Sequence, residues 1–544
     1  NIWKMNEEQI NNSLIPDHQR INNYVEFEAY TVGELFSKKS KEDPEKIFLI
    51  CPGKNTEQFT YSEFEKMVNS TINQFLEMKL EKKDRICLIF YNSPEFLTLY
   101  FAGLSYGLTI VPINPDFSTM EMNYIIKDSN ARAIFLDDKL SEKVSNLEKD
   151  SNDILVKKIK STADLTLSTN NVKENDGDKI TPYDPAVIIY TSGTTGNPKG
   201  AVLSHLNLIS DSFSISQRFE FDKKTRALCI LPLFHNNGQI TTLLSPLYVG
   251  GSAIIVKGKV GINLVWDLVN QYNATWTSMM ASILSILLSL SKERKDNSLT
   301  GILCGGQKLT NTIQKKFEDR FHVPIFEGYG LTETTSFSCI NDFPANKRKS
   351  GSVGKPLITN EMAILDENNN EVGVDEEGEI CIRGYNVMIG YLGLEQKNNQ
   401  VFKNGWFHSG DYGRMDSEGY YYFHGRRDFL IIRGGENIYP TEIENVLYKH
   451  PDVDECAIIG IPDKFMGEEI CAFIKIKKNK TVSEKNFKDF FVGKIADYKQ
   501  PKKIIIINNL KDLETIPKGP TKKILYRKLK EYYIAKLKTN ENSE

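Results

Sequence analysis

No apolar run in this 544-residue chain approaches the roughly 18 residues that a membrane-spanning helix needs. The most apolar helical stretch, Ile283 to Leu290, is short and interrupted by Ser285 and Ser289, so it reads as a core helix. Asn1 to Arg20 carries acids and amides where a secretory signal has its apolar segment, and no such signal is expected. An excess of one charge is lacking too. With 68 Lys and Arg against 71 Asp and Glu the formal net charge is -3, which gives no electrostatic case for a nucleic acid or an anionic membrane as partner. Lys499, Lys502 and Lys503 read as a solvated face. No CxxC pair occurs among the eight cysteines (Cys51, Cys87, Cys229, Cys304, Cys339, Cys381, Cys456, Cys471), most of which sit in apolar runs. That argues against a zinc site or a disulfide framework, and for buried small hydrophobes in a reducing, cytoplasmic setting. Internal repeats and low-complexity linkers are absent as well.

What is present is the composition of an ordinary globular protein, 40% hydrophobic, 26% charged and 10% aromatic. The length suggests roughly three or four structural units. From about residue 46 to 140, strands are predicted at Arg85 to Tyr91, Leu108 to Pro112 and Ala131 to Leu136, with a helix at Ser93 to Tyr106. Such alternation predicts an α/β layer with a mostly parallel sheet. Residues 141–180 are polar and read as a surface connection. The alternation resumes from Ala186 to Ile340, with strands at Ala227 to Leu231, Ser252 to Val256 and Gly301 to Cys304. After Gly351, short strands at Met362 to Leu365, Gly378 to Arg383 and Gly419 to His424 predict a β-rich subdomain. Beyond Arg426 comes a smaller α+β unit: a helix at Tyr439 to Tyr448 and strands at Cys456 to Ile461, Ile470 to Ile476 and Lys502 to Ile507. The expected class is therefore α/β: a large N-terminal domain of layered α/β subdomains plus a β-rich subdomain, then a small α+β C-terminal domain.

The sharpest local signal is Ile188 to His205, where a buried strand runs into Thr191-Ser192-Gly193-Thr194-Thr195-Gly196-Asn197-Pro198-Lys199-Gly200. Four hydroxyls, three glycines and one lysine in these ten residues are what a polyphosphate cradle needs. Glycines let backbone N–H groups approach the oxygens, hydroxyls add donors and the lysine offsets charge. It is not a Walker A loop, because Pro198 stands where that loop has the glycine before its lysine. A ligand-free turn is the plain alternative, and the hydroxyl run speaks against it.

This segment resembles the signature phosphate loop of the adenylate-forming superfamily, which includes acyl- and aryl-CoA synthetases, adenylation domains of peptide synthetases, and luciferases. Further motifs follow in that family's order from about residue 30 to 530, and the chain is most similar to stand-alone acyl-CoA synthetases. Gly328-Tyr329-Gly330-Leu331-Thr332-Glu333 resembles the YGxTE motif. There Tyr329 can stack on a purine, Thr332 can donate to the α-phosphate, and Glu333 can hold Mg²⁺ through a hard oxygen. Trp406 to Asp411 resembles GWFxTGD with Ser409 for Thr, which implies that Asp411 takes the ribose hydroxyls and that Arg426 contacts ribose or phosphate. Cys304-Gly305-Gly306-Gln307 resembles the strand end that the family places against adenine and the acyl group.

The resemblance also implies an acid pocket. Pro232 to Gly238 matches PLFHxxG, so His235 is an expected gate between acid and thiol channels, with Asn236 and Gly238 beside it. The wall from Ala274 to Ser282 contributes Met280 and Ala281, the latter where the family has Pro. Cys304, Lys308, Thr334, Thr335 and Ser336 complete the candidates. Domain boundaries of 1–427 and 428–544 follow from the family's hinge, placed here at Asp428, about which the small domain is expected to move. Gly434, Gly435 and Glu436 are expected at a pantetheine tunnel, although a hairpin also uses Gly-Gly.

Ile516 to Arg527 resembles PKxxxGKIxxR, which puts the catalytic lysine at Lys523 and leaves Lys522, standing where the family has Gly, as an adjacent candidate. Asp489 to Gly493 lacks the acceptor Ser of a carrier-protein site and reads as an amphipathic helix. The resemblance implies ATP and Mg²⁺ as requirements, a carboxylic acid substrate, and CoA as acceptor. A carrier-protein ligase, a luciferase-like oxidase and a non-catalytic nucleotide or acyl-adenylate binder share parts of the same pattern.

Overall fold

The computed structural model describes residues 16–22, 25–53, 55–144, 154–166, 179–191, 198–258, 261–294, 298–306, 309–433, 436–463, 465–495, 497–519 and 524–537, with backbone alone at 428, 436 and 437. Two units separate by internal contacts. The larger comprises Asn1–Ala363 and Cys381–His408, and the smaller Ile364–Ile380 and Ser409–Glu544.

In the larger unit a seven-stranded sheet runs in the spatial order Gly390–Tyr391, Lys199–Ser204, Pro185–Thr191, Thr109–Ile113, Arg85–Ile89, Ala133–Asp137, Leu155–Ile159. Its centre is parallel, as the alternation predicts, whereas Pro185–Thr191, Lys199–Ser204 and Gly390–Tyr391 pair antiparallel. The segment read as a surface connection contains a strand, Leu155–Ile159, pairing parallel to Ala133–Asp137. Its two lysines and half-exposed pattern, suited to a sheet edge, hide it from a reading based on apolar runs. Local chemistry sets the helices between strands. Ser93 caps Pro94–Tyr106 by accepting from Phe96 N–H, Pro94 fits the first turn, and Gly107 ends the helix at φ 98°.

A second, nine-stranded sheet runs Lys355–Pro356, Cys339–Ile340, Ile325–Tyr329, Gly301–Cys304, Trp276–Met279, Arg226–Cys229, Ser252–Ile255, Ile47–Cys51, Glu57–Thr60. The strands from Ile325–Tyr329 to Ile47–Cys51 are parallel, and the N-terminal Ile47–Cys51 strand joins beside Ser252–Ile255. The Ala281–Ser289 helix packs into this sheet's core through Ile283, Leu284 and Leu287. Parallel strands end on one edge, and ligands bind beyond the carboxyl ends of such strands. Cys304 and Tyr329 are two of those ends.

Short strands follow at Asn360–Leu365, Gly378–Gly384, Trp406–Met415 and Tyr421–Arg426, the β-rich region expected after Gly351. The last begins two residues later than predicted, because Asp416 holds a turn by accepting from Glu418 and Tyr420 N–H. In the smaller unit, the Val453–Asp463 and Gly467–Ile476 strands form a long antiparallel pair, and Lys503–Ile506 joins the second in parallel. The Pro440–Leu447 and Glu484–Phe491 helices cover one face with Ile443, Leu447, Phe487 and Phe491 buried. Among the described residues no helix is long and apolar enough to cross a membrane.

Candidate active site

The hydroxyl-rich loop is the connection of a β-hairpin. Pro185–Thr191 pairs antiparallel with Lys199–Ser204, with Thr191 opposite Lys199, and the Thr191 hydroxyl lies 3.5 Å from the Lys199 carbonyl. Ser192, Gly193, Thr194, Thr195, Gly196 and Asn197 fall outside the described residues. The helix His205–Arg218 starts directly after the second strand, capped by Ser204 and Asn207. The layout is thus strand, loop, strand, helix, unlike the strand, loop, helix of a Walker A loop.

Glu333 lies in a 3₁₀ turn, Thr332–Thr334, after the Ile325–Tyr329 strand. Its carboxylate Oε1 accepts from the Tyr391 hydroxyl at 2.7 Å, and its carbonyl accepts from Met388 N–H at 2.8 Å. The Lys199 ammonium lies 5.7 Å from the centre of the same Tyr391 ring. Tyr391 therefore joins the hairpin lysine to the carboxylate expected at a metal. It is fixed by Asn398, whose Oδ1 accepts Tyr391 N–H at 2.8 Å and whose Nδ2 donates to the Tyr391 carbonyl at 3.0 Å. The half-buried Glu333 fits Mg²⁺: it is a hard oxygen donor that keeps a second carboxylate oxygen beyond the Tyr391 bond.

The chain after Glu333 makes an unusual turn. Ser336 N–H donates to the Thr334 carbonyl at 2.8 Å across Thr335, which sits at φ 67°, ψ -68°. This is the γ-turn of the strained hand, rare for a β-branched residue. Asn386 takes the Thr335 hydroxyl on its carbonyl at 2.7 Å and donates from Nδ2 to the Thr334 and Phe337 carbonyls at 3.3 and 3.2 Å. Asn236 Nδ2 donates to the Thr335 carbonyl and, at 3.3 Å, to that of Thr332. Asp211 accepts from Phe337 N–H at 3.1 Å. Burial pushes the Asp211 carboxyl well above the usual range, against the pull of the Phe337 and Ser336 amides. Gly330 is required here, since a Cβ on it would overlap the Ser336 carbonyl.

The candidate acid-side residues meet this turn through Asn236. His235 precedes the short Asn236–Gln239 helix, half-buried, with its ring 4.8 Å from that of Phe234. Asn237 Oδ1 accepts from the hydroxyls of Ser278 at 2.8 Å and Thr241 at 2.7 Å, which links this helix to the Trp276–Met279 strand just before Met280 and Ala281. Cys304 is fully buried, and a Cβ on Gly305 would lie 2.5 Å from the Phe337 ring. Gly238 packs against the Pro232 carbonyl, Gly328 and Tyr329 end their strand, and Gly306 follows at φ 77°. The hydroxyls of Thr334 and Thr335 are both committed to main-chain oxygens, of Leu331 and Asn386. Gln307 and Lys308 lie outside the described residues.

Within the smaller unit, Asp411 and Arg426 face each other across the Trp406–Met415 and Tyr421–Arg426 hairpin. The buried Asp411 carboxylate accepts from Arg426 Nε at 2.9 Å, and the arginine is 39% exposed. Arg427–Phe429 forms a single 3₁₀ turn at the expected hinge, the Asp428 side chain being outside the description. The Ile431–Arg433 and Glu436–Ile438 strands pair with Arg433 opposite Glu436, so a hairpin brackets Gly434 and Gly435, which fall outside the described residues with the Glu436 side chain. Lys522 and Lys523 do too. Their flanks are held: Lys518 and Ile524 form an antiparallel bridge, and Leu525 N–H donates to the Pro517 carbonyl at 2.9 Å. The Tyr526 hydroxyl donates to the buried Glu444 carboxylate at 2.9 Å.

Tyr391, Asn386 and Asp211 are the residues that sequence reasoning missed. A signal existed for Asp211: with Asn207, Ser214 and Arg218 it makes a polar stripe at helical spacing in a helix whose apolar residues are buried as well.

The family model for AMP-binding enzymes matches residues 36–392, and that for the AMP-binding enzyme C-terminal domain matches residues 442–515. An oxalate–CoA ligase of Arabidopsis thaliana is 30% identical over 523 residues, covering 93% of this chain and 99% of the relative. A crotonobetaine/carnitine–CoA ligase of Proteus mirabilis is 30% identical over 488 residues, 86% of this chain and 93% of the relative. Among solved structures, ATP-bound MatB from Rhodopseudomonas palustris superposes with a TM-score of 0.84 at 26% identity, covering 92% of this chain and 99% of that one. The chain belongs to the AMP-binding enzyme family, the adenylate-forming superfamily that its motifs resemble.

Proposed function

We propose that this protein is an AMP-forming acid–thiol ligase that activates a carboxylic acid as acyl-AMP and passes the acyl group to CoA. One observation carries the reading: three segments far apart in sequence, at Lys199, Thr332–Thr335 and Asn236, are tied together through Tyr391 and Asn236. A phosphate-side cation, a metal-binding carboxylate and an acid-side wall are the parts that adenylation needs.

In the first step a carboxylate oxygen attacks the α-phosphorus of ATP, a new O–P bond forms, and pyrophosphate leaves with the electrons of the broken bond. The hairpin loop 191–200 cradles the phosphates, Thr332 donates to the α-phosphate, and Lys523 offsets charge on the attacking oxygen and α-phosphate. Glu333 would hold Mg²⁺, which offsets phosphate charge when bound. Tyr329 with Gly305, Gly306 and Gln307 takes the adenine, and Asp411 with Arg426 the ribose. In the second step a thiol sulfur attacks the acyl carbonyl and AMP leaves, so no side-chain nucleophile is required. Asp428 as hinge, domains of 1–427 and 428–544, and Gly434, Gly435 and Glu436 at a pantetheine channel belong to this reading. CoA is favoured over a carrier protein because the relatives are named CoA ligases. A cytoplasmic location goes with it, supported by eight cysteines that are all free and buried.

Pyrophosphate release on a panel of acids, including oxalate, carnitine, sulfoacetate, benzoate and fatty acids of graded length, tests the reading. Release with one class and thioester formation on CoA are expected. No release with any acid would point to a nucleotide-binding protein, and thioester on a carrier but not on CoA would reassign the acceptor.

A further inference from the structure

We propose that Asp211 is a positioning residue for the metal-side turn: from the helix that follows the phosphate hairpin, it holds the strained γ-turn at Thr335 and so fixes Glu333. The inference rests on the adenylation reading, in which Glu333 is the metal-binding carboxylate.

The geometry begins with the helix His205–Arg218. Asn207, Asp211, Ser214 and Arg218 recur at intervals of four, three and four, which is one helical face. Each spends its side chain on a different distant segment. Asn207 Nδ2 donates to the carbonyls of Tyr385 at 2.7 Å and Val387 at 2.9 Å. Ser214 pairs with the Thr359 hydroxyl at 2.6 Å. Arg218 donates to the Ile340 carbonyl at 2.9 Å and to Asp342 at 2.7 Å. Asp211 alone reaches the turn after Glu333, and its second oxygen, Oδ1, has no hydrogen-bond partner among the described residues.

A fully buried carboxyl with one oxygen unpartnered is costly. A core that needed only packing would be better filled by an apolar residue of similar size. The turn it holds is also costly, since a threonine at φ 67° and ψ -68° stores about 1–3 kcal/mol unless its surroundings impose it. The two costs meet at adjacent peptide groups, where the Ser336 amide closes the γ-turn and the Phe337 amide reaches Asp211. Without that acceptor the turn can relax to φ < 0 at Thr335, and the relaxation propagates over two residues to Glu333. Asp211 and Asn207 together thus couple the helix behind the phosphate hairpin to the Glu333 turn and to the chain that carries Asn386.

The test measures ATP affinity by calorimetry with Mg²⁺ and with EDTA, together with both half-reactions. Asp211→Ala is expected to lower the gain in ATP affinity that Mg²⁺ brings by about tenfold, leaving affinity in EDTA within about threefold. Acyl-AMP formation should fall by about 30-fold or more, with thioester formation from supplied acyl-AMP nearly unchanged. Thr335→Gly placed on Asp211→Ala should restore about fivefold of the loss, because glycine adopts positive φ at no steric cost. Equal loss of both half-reactions, or an unchanged magnesium gain, overturns the inference. Where Asp211→Ala does not fold, Asp211→Leu, similar in size and without an acceptor, decides. Faster amide exchange confined to 331–338 together with a reduced magnesium gain supports the role, and wild-type values of both refute it. A wild type that shows no magnesium gain refutes the inference along with the reading beneath it. A wild type with the gain but no pyrophosphate release refutes the adenylation reading alone.

Discussion

The turn that carries Glu333 and the described flanks of the segment that carries Lys523 are braced in different ways. Around Glu333, side chains from the 211, 236, 386 and 391 regions converge on six residues, with partners 49 to 126 positions away in sequence. Around Lys523 the described supports act at the two ends of the segment: the Lys518–Ile524 bridge, Glu455 on Lys518 at 2.8 Å, and Glu444 on Tyr526. A group cross-braced along its length is preset, and its geometry is part of the folded core.

Four experiments test that contrast. Lys523→Ala should lower acyl-AMP formation by about 10²–10³-fold, the range for losing one charge-stabilising donor, while sparing thioester formation from supplied acyl-AMP and leaving the melting temperature unchanged. Loss of activity from Lys522→Ala in its place would move the role to the neighbour. The second experiment titrates stability. Burial lowers His205 and His18 in the larger unit from 6.5 to about 4. Between those values the unfolded chain binds more protons, so stability is full above pH 6.5, falls as the pH drops toward 4, and then levels off. Each histidine contributes at most about 3 kcal/mol to that fall. Acid melts should reveal it, and His205→Gln should flatten its share; an unflattened profile would shift the effect elsewhere.

Third, Asn386→Ala leaves the buried Phe337 carbonyl without its Asn386 donor, removes a second bond to the Thr334 carbonyl, and should cost about 2 kcal/mol in denaturant melts, with activity falling alongside. A stable variant of full activity would mean that the turn does not depend on its braces. The smallest effect belongs to Tyr526→Phe, which removes the bond to Glu444 and should cost about 1 kcal/mol. If it impairs acyl-AMP formation as strongly as Lys523→Ala, the lysine segment is as tightly coupled to its core as the Glu333 turn, and the contrast fails.

Much of this was legible beforehand, for physical reasons that can be named. Glycine, hydroxyl and lysine crowd into 191–200, the combination that a polyphosphate cradle would need locally, and local chemistry leaves local patterns. The apolar strands at Arg85–Ile89 and Gly301–Cys304 announce themselves in the same way. Leu155–Ile159 did not, since an edge strand tolerates lysines. The Lys199–Ser204 strand was not predicted, because its first residues belong to the glycine- and hydroxyl-rich segment that reads as a loop. Tyr391, Asn386 and Asp211 were invisible for a different reason: each bonds to a segment whose proximity exists only after folding. Asp411 was found through its motif, yet its partner across the hairpin, Arg426, follows from the strand register.

The eight cysteines take on a meaning beyond compartment. A mixed anhydride is an electrophile that would acylate any thiolate within reach. Every cysteine here is buried, and burial pushes the thiols of Cys87, Cys229 and Cys339 up to about 12 and drives the others with a resolved shift upward as well. At neutral pH such thiols hold their protons and are poor nucleophiles. The protein is thereby protected from its own product, and the acyl group waits for a sulfur brought from outside.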